Sequence, residues 1–205
     1  MPYEYRKLSL KEREQLIIHR SARGYPLHAP PHPFRDTGAY LISAANFEHR
    51  SVMKSPERRT EFEMQLHTTL KEITEHLIAW IILPNHYHFL ATIQSLDCVS
   101  SALKQLHGAT SRQWNLEDGL TGKRRVWYKF ADTCIRNDVH LHLAFNYIHN
   151  NPVKHGYVTD PYDWHWSSLP LYYDDKGRDW LRDHWKSYTP PPNFGKGWDD
   201  HIRND

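Results

Sequence analysis

The spacing of apolar residues along the chain predicts a series of strands and amphipathic helices. Residues 39–47 (AYLISAANF) have the composition of a strand, although their alternation is imperfect. Ser55 and Pro56 are typical of a helix start, with serine as the cap and proline at the first helical position. Apolar residues then recur every three or four positions, which predicts a helix with this core stripe: Phe62, Leu66, Leu70, Ile73 and Leu77.

Two strands and a second helix are predicted next. Residues 78–93 are apolar and rich in β-branched side chains, and Pro84-Asn85 divides them, so we expect two strands joined by a tight turn. Asp97 is positioned to cap the second helix. The core positions of that helix are expected to be Leu103, Leu106 and Thr110.

A fourth strand and a third helix complete the pattern. The strand is predicted over residues 126–135, and Asn137 or Asp138 can cap the helix. We expect this helix to end at Asn151, because Pro152 disfavours helical backbone at the residue before it. The first six elements follow the β-α-β-β-α-β order of ferredoxin-like folds. The predicted class is therefore α+β, with a ferredoxin-like (RRM-like) antiparallel sheet, helices on one face and a further C-terminal helix.

The chain divides into three predicted regions. Residues 1–37 form an N-terminal arm, which has a charged helical stretch at 8–23 and then a connector rich in proline and histidine (GYPLHAPPHPF). Residues 38–173 form the domain, and residues 174–205 have the composition of a C-terminal tail.

Composition narrows the class of protein. The 205 residues are 39% hydrophobic and 24% charged, as in a globular protein. No apolar run approaches the roughly 20 residues that cross a bilayer, so no membrane association is expected. The start, MPYEYRKLSLKERE, is too charged for the apolar core of a signal peptide. Cys98 and Cys134 form no disulfide framework, and we therefore expect a cytoplasmic protein.

Positive charge is concentrated in the middle of the chain. Residues 101–136 hold seven Lys/Arg and three Asp/Glu, whereas residues 137–205 hold seven and ten. This distribution favours a polyanion site in the middle, and a solvated charged surface is the alternative. Trp127 and Tyr128 lie among the charges and suit stacking on unpaired bases, although Trp127 would equally suit a core position. The candidate cations are Lys104, Arg112, Lys123, Arg124, Arg125, Lys129 and Arg136.

Two His-x-His motifs occur among 16 histidines. His86 and His88 lie on a predicted strand, where residues two apart share a face and can reach one metal ion. His140 and His142 lie on a predicted helix, where residues two apart diverge. Because histidine is so frequent here, structural roles for His86 and His88 remain the alternative.

Tyr147 and Asn151 add chemistry on the third helix. They are four residues apart, so they share a helical face. A tyrosyl oxygen can act as a nucleophile, and an amide oxygen can bind a metal ion. Alternatively, Tyr147 is a core residue and Asn151 is a helix C-cap.

Two separated motifs resemble one known family. The stretch LPNHYHFLATI resembles the His-hydrophobic-His (HUH) motif of single-tyrosine transposases from small bacterial insertion sequences. The stretch FNYIHNNPVKHGYV resembles the nucleophile motif of REP-associated tyrosine transposases. The flanking stretches VWYKFADTCIR and PYDWHWSSLPLY also fit that family, so the resemblance covers most of residues 38–173.

The resemblance implies specific roles. Tyr147 would be the nucleophile on a C-terminal catalytic helix, and His86 and His88 would ligate Mg²⁺ or Mn²⁺. Asn151 falls where related insertion-sequence enzymes place a glutamine ligand. Tyr87 stands where an aliphatic residue is usual, and period two turns it to the opposite face, so we expect it to pack in the core.

The resemblance also implies a reaction and partners. A family member would cleave and rejoin single-stranded hairpin DNA through a 5′-phosphotyrosine intermediate, in the bacterial cytoplasm at the nucleoid. Lys154, just after the catalytic helix, is a candidate phosphate contact, and a homodimer is possible for this family. Two rivals stay open: a repeat-binding protein without transposition, and a zinc protein whose closed tetrahedral shell includes His86 and His88.

Overall fold

The computed structural model describes residues 8–22 and 37–195. The first helix, α1 (Leu10–Ser21), lies within the predicted charged helical stretch. Its start is capped reciprocally, because Glu12 accepts from the Ser9 amide (2.8 Å) and its own amide donates to the Ser9 hydroxyl (3.4 Å). The predicted proline- and histidine-rich connector lies outside the described residues.

The α+β class is confirmed by a four-stranded antiparallel sheet and its helices. The strand order is β2-β3-β1-β4, and each neighbouring pair is antiparallel. The strands are β1 (Gly38–Ala45), β2 (Thr74–Ile82), β3 (His86–Ile93) and β4 (Ala131–Cys134). The further helices are α2 (Pro56–Lys71), α3 (Leu96–Glu117), α4 (Asp138–Lys154) and α5 (Leu169–Ser187).

Helices cover both faces of the sheet. On one face, Tyr87 and Phe89 of β3 pack with Phe62 and Leu66 of α2 and with residues of α3. On the other face, Leu90 packs with residues of α4 and α5. Because side chains alternate along a strand, His86 and His88 share the face of Leu90 and point toward α4. The expected core position of Tyr87 is confirmed, since it is fully buried on the α2–α3 side.

The predicted end of the first core helix is wrong. Helix α2 begins as predicted, with the Ser55 hydroxyl accepting from the Arg58 amide, but it ends at Lys71. Leu77 therefore belongs to β2, and Ile73 lies in the junction. Both residues still pack against the same core, which is why the apolar spacing continued past the end of the helix.

Two other boundaries differ from the prediction. Ser95, not Asp97, caps α3, because its hydroxyl accepts from the Asp97 amide (3.1 Å). Strand β4 is shorter than predicted, and Trp127 makes only an isolated bridge with Asn46. The core stripe of α3 is confirmed, with three residues buried: Leu103, Leu106 and Thr110.

Helix α4 continues past the predicted end. The Asn137 cap is confirmed, since its side chain accepts from the His140 amide (2.9 Å). The helix nevertheless runs through Pro152 to Lys154, because the His155 amide donates to the Asn151 carbonyl and closes another turn. A residue before proline is biased against helix rather than barred from it.

Helix α5 was not predicted, and it crosses the predicted boundary between residues 173 and 174. Its residues Leu181 and His184 are buried, and Asn146 of α4 donates to the His184 carbonyl (3.2 Å). The helix was not predicted because its residues are rich in aspartate, tyrosine and tryptophan, which do not indicate a helix by composition. The domain boundaries remain predictions. Within the described residues, no helix combines the length and apolarity needed to cross a membrane.

Candidate active site

Two buried histidines begin strand β3. His86 and His88 are 3% and 1% exposed, and their ring centroids lie 5.1 Å apart. His86 Nδ1 lies 2.6 Å from the side-chain oxygen of Asn85, and His88 Nδ1 lies 2.7 Å from the Ser43 hydroxyl. Each ring is therefore oriented through Nδ1, which is the usual arrangement behind a histidine that binds metal through Nε2.

Tyr147 reaches the histidines from helix α4 of the same chain. Its ring centroid lies 5.4 Å from that of His88 in an edge-to-face contact. The tyrosine is 4% exposed, and within the described residues its hydroxyl has no hydrogen-bond partner. The predicted nucleophile and the predicted histidine pair therefore come together without a second copy of the chain.

Asn151 faces His86 from the next turn of α4. Its Oδ1 lies 3.0 Å from His86 Nε2, and its side-chain nitrogen is turned to the Tyr147 carbonyl (3.4 Å). The C-cap alternative for Asn151 is wrong, because His155 occupies the cap position. Adjacent ligands of an octahedral ion, each bound at about 2.1 Å, stand about 3 Å apart, so this pair has a suitable spacing.

The zinc alternative predicts a closed shell of histidine, cysteine or carboxylate ligands. In the part of the chain that the structure describes, no three such side chains are grouped as a metal site. Imidazole nitrogens combined with an amide oxygen are a donor set that accommodates Mg²⁺ or Mn²⁺. Imidazole is also a common ligand of transition metals, so the residues present are a mixed nitrogen and oxygen donor set that fits a divalent cation.

A C-terminal segment covers Tyr147. The Phe194 ring lies 5.2 Å from the Tyr147 ring. Gly195 sits so close to the tyrosine that a Cβ atom built on it would overlap the Tyr147 hydroxyl. A phosphate group cannot reach this hydroxyl until the segment moves.

Sequence reasoning missed His155. Its ring centroid lies 5.1 Å from that of His86, and it follows Tyr147 and Asn151 at the same four-residue spacing. That spacing was a signal that could have revealed it. Burial lowers the pKa of His155 to about 3, with further contributions from Lys154, His88 and His49, so this imidazole is neutral at pH 7.

The other histidines of α4 lie elsewhere. His149 Nε2 bonds to the Ser168 hydroxyl (2.7 Å), away from Tyr147, and burial lowers its pKa to about 3. His149 is therefore not placed to act as a general base for Tyr147. His142 bonds to His184 (3.0 Å), whereas the His140 ring lies 5.9 Å from Phe194, so the two do not share a ligand position.

A basic groove runs between α3 and the segment that precedes β4. It has a volume of about 650 Å³, and it includes five of the nine predicted DNA-binding residues: Lys104, Arg124, Arg125, Trp127 and Lys129. Backbone hydrogen bonds connect its rim to the turn between β2 and β3. The Phe47 amide donates to the Val126 carbonyl, and the Asn46 amide donates to the Asn85 carbonyl. Residues 46–47 therefore connect the groove, on the α2–α3 side of the sheet, with the turn before His86, whose side chain lies on the α4 side.

Two residues of the groove, Trp127 and Arg124, are engaged in contacts within the protein. Trp127 is 6% exposed, and its ring stacks on His107 (4.4 Å) and Phe62 (5.3 Å), so the prediction that a base stacks on it requires correction. Arg124 pairs with Asp118 (2.8 Å) and bonds to Asn115 (2.8 Å).

The remaining candidate cations lie on the surface. Arg112, Lys123 and Arg136 are exposed outside the groove lining. Lys154 is exposed, and its Nζ lies 5.0 Å from the Tyr147 ring centroid. Lys154 is thus the predicted cation that the structure brings beside Tyr147.

Comparisons with known proteins identify two similar curated proteins. No family model matches the sequence. The REP-associated tyrosine transposase of Escherichia coli (strain K12) is 30% identical over 115 residues, which are 54% of this chain and 66% of the relative. A putative REP-associated tyrosine transposase of Haemophilus influenzae is 31% identical over 123 residues, which are 54% of this chain and 70% of that relative.

The fold and the paired histidines with a helical tyrosine define a protein of the single-tyrosine HUH class. The chain belongs to the family of REP-associated tyrosine transposases. A solved structure of a REP-associated tyrosine transposase bound to a REP hairpin has a similar fold. It aligns with a TM-score of 0.53 and 23% identity, over 77% of this chain and 86% of that chain.

Proposed function

We propose that this protein is a metal-dependent transposase and endonuclease that cleaves and rejoins single-stranded, repeat-associated hairpin DNA. The observation that carries the proposal is the contact between Tyr147 and His88 within one chain. The strand order β2-β3-β1-β4, in which all neighbours are antiparallel, supports a ferredoxin-like scaffold. A cytoplasmic location at the nucleoid and a possible homodimer stay predictions.

His86, His88 and Asn151 would hold the Mg²⁺ or Mn²⁺ ion. The spacing of His86 Nε2 and Asn151 Oδ1 supports this assignment, as does the orientation of both rings through Nδ1. A divalent cation at this position would supply polarisation of a phosphate oxygen. It would thereby reduce the need for a strong base at the tyrosine hydroxyl, whose ordinary pKa is about 10.

The reaction would use Tyr147 as the nucleophile. Its hydroxyl oxygen bonds to the scissile phosphorus, and the bond between phosphorus and the 3′ oxygen breaks. The hydroxyl proton is released and the 3′ oxygen leaves as a hydroxyl group, so protons balance. Attack by another 3′ hydroxyl reverses the step and joins strands without ATP. Lys154, beside the tyrosine ring, would neutralise phosphate charge.

The basic groove is the proposed path for the DNA strand. Its exposed cations, Lys104, Arg125 and Lys129, are suited to phosphate contacts. Arg125 also lies over the rings of Phe47 and Tyr128. A strand bound here would have to pass residues 46–47 to reach His86 on the other face of the sheet.

Reversing two groove charges should weaken hairpin binding. The double variant Lys104→Glu and Lys129→Glu is expected to lower affinity about tenfold or more, with a shallower dependence on salt concentration. Fluorescence anisotropy with labelled hairpin DNA at several salt concentrations measures both quantities. Lys71→Glu changes an exposed lysine outside the groove and should leave affinity unchanged. Equal losses in both variants would contradict the groove assignment.

Covalent trapping tests the proposed function directly. The protein is incubated with single-stranded hairpin DNA from repeats that flank its own gene, with Mg²⁺, Mn²⁺ or EDTA, and separated on a denaturing gel. A shifted protein–DNA band that requires a metal ion is expected. Binding without any covalent band would support the repeat-binding alternative, and a band that persists in EDTA would contradict the metal dependence.

A further inference from the structure

Asn85 contacts Nδ1 of His86, whereas Asn151 faces the other ring nitrogen. Asn85 is fully buried at the turn between β2 and β3, and its side-chain NH₂ donates to the His49 carbonyl (3.0 Å). Its amide oxygen therefore faces His86 Nδ1, at 2.6 Å. An amide oxygen only accepts hydrogen bonds, and both ring nitrogens of His86 face one, because Asn151 Oδ1 lies 3.0 Å from Nε2. The shorter contact, to Asn85, favours the ring proton on Nδ1, which leaves Nε2 and Asn151 Oδ1 as two lone-pair donors that face each other.

The surrounding backbone holds the amide in this orientation. The Asn85 carbonyl accepts from the Asn46 amide (2.7 Å). Glu48 and His49 both have positive φ, at 58° and 52°, which residues other than glycine rarely adopt. This conformation accompanies the placement of the His49 carbonyl against the Asn85 NH₂, so rotation of the amide would bring two oxygens together.

The turn itself does not require asparagine at this position. In the described chain, the residues other than glycine with positive φ are Glu48 and His49, and Asn85 is not among them. Its side-chain amide, rather than its backbone conformation, is therefore the feature that distinguishes this asparagine. That amide makes one contact with a backbone carbonyl and one with His86.

We propose that Asn85 is a positioning residue that keeps the Nε2 lone pair of His86 available to a divalent cation. The inference rests on the proposed function, because it assumes the cation site of His86, His88 and Asn151. His88 is held differently: Ser43 contacts its Nδ1 with a hydroxyl, which can donate or accept. Ser43 orients its ring without selecting a tautomer, whereas Asn85 does both.

Mn²⁺ binding measures the proposed role. Asn85→Leu removes the acceptor, and we expect the affinity for Mn²⁺ alone, measured by calorimetry, to fall about 10–100-fold. Asn85→Asp retains an acceptor for Nδ1–H and is expected to restore part of that affinity, at a cost in stability because its second oxygen faces the His49 carbonyl. Nitrogen NMR of the histidine rings should show His86 protonated at Nδ1 in the wild type and redistributed in Asn85→Leu.

A matched variant separates positioning from general damage. Asn115 is also a buried asparagine, and its amide bonds to Arg124 at the end of α3. Asn115→Leu is expected to lose thermal stability but to keep Mn²⁺ affinity. If Asn85→Leu binds Mn²⁺ like the wild type, or if wild-type His86 is protonated at Nε2, the inference is overturned.

Failure of the inference and failure of the proposed function give different results. A wild-type protein that binds no Mn²⁺ or Mg²⁺ overturns the cation site, and with it the positioning role toward a cation. A wild type that binds Mn²⁺ while Asn85→Leu and Asn85→Asp both match it overturns the role of Asn85 alone. Loss in Asn85→Leu with recovery in Asn85→Asp supports both.

Discussion

Replacing Tyr147 by phenylalanine is expected to abolish the covalent protein–DNA band while leaving hairpin binding unchanged. The substitution removes only the hydroxyl, and the ring keeps its contacts with His88 and Phe194. Because the hydroxyl is buried and has no hydrogen-bond partner within the described residues, its removal should not destabilise the fold. Removing such an unpaired group is commonly neutral or stabilising, so the free energy of unfolding should stay equal or rise.

A second tyrosine provides the matched control. Tyr172 donates its hydroxyl to the Ile78 carbonyl (2.6 Å), so Tyr172→Phe should cost about 1 kcal/mol of stability. This variant should nevertheless form the covalent band. The two variants therefore have opposite effects. Tyr147→Phe loses the covalent band and keeps its stability, whereas Tyr172→Phe loses stability and keeps the covalent band. Survival of the band in Tyr147→Phe would exclude Tyr147 as the nucleophile.

Removing the C-terminal segment is expected to increase the rate of covalent-band formation about tenfold or more. A tenfold increase corresponds to a segment that covers Tyr147 in about nine-tenths of the molecules. The deletion removes residues 190–205 and leaves α5 intact, since that helix ends at Ser187. It uncovers the Tyr147 hydroxyl, which Phe194 and Gly195 now cover. The initial rate of band formation with saturating hairpin DNA measures the effect.

A point substitution tests the same contact without shortening the chain. A Cβ atom in Gly195→Ala would overlap the Tyr147 hydroxyl, so the segment must move away. Gly119→Ala imposes a similar left-handed strain, but its Cβ would meet nothing within 4 Å. We expect a faster reaction in Gly195→Ala and no change in Gly119→Ala. Unchanged rates in both the deletion and Gly195→Ala would show that the segment does not limit access.

Local spacing was sufficient to predict much of the site. Period two along β3 placed His86 and His88 on one face and Tyr87 on the other, and the structure agrees. The four-residue spacing on α4 likewise placed Tyr147 and Asn151 together. Such predictions succeed because side-chain direction in a regular element depends on backbone geometry alone.

Predictions that depended on element ends were less accurate. The apolar spacing of α2 continued into β2 because both elements pack on one core, so periodicity could not locate Lys71 as the helix end. Trp127 looked suitable for stacking on bases, but its ring lies between His107 and Phe62. Composition cannot distinguish an aromatic residue in a groove from one behind its wall.

The sequence alone determined the class of fold, the family and the candidate site residues, because these follow from local periodicity and from motifs. Tertiary structure decided what surrounds those residues. It brought α4 across the sheet so that Tyr147 meets His88, turned the Asn85 amide to His86, and laid Gly195 over the tyrosine. These contacts join segments distant in the chain, and they depend on packing and on hydrogen-bond directions that no single segment contains.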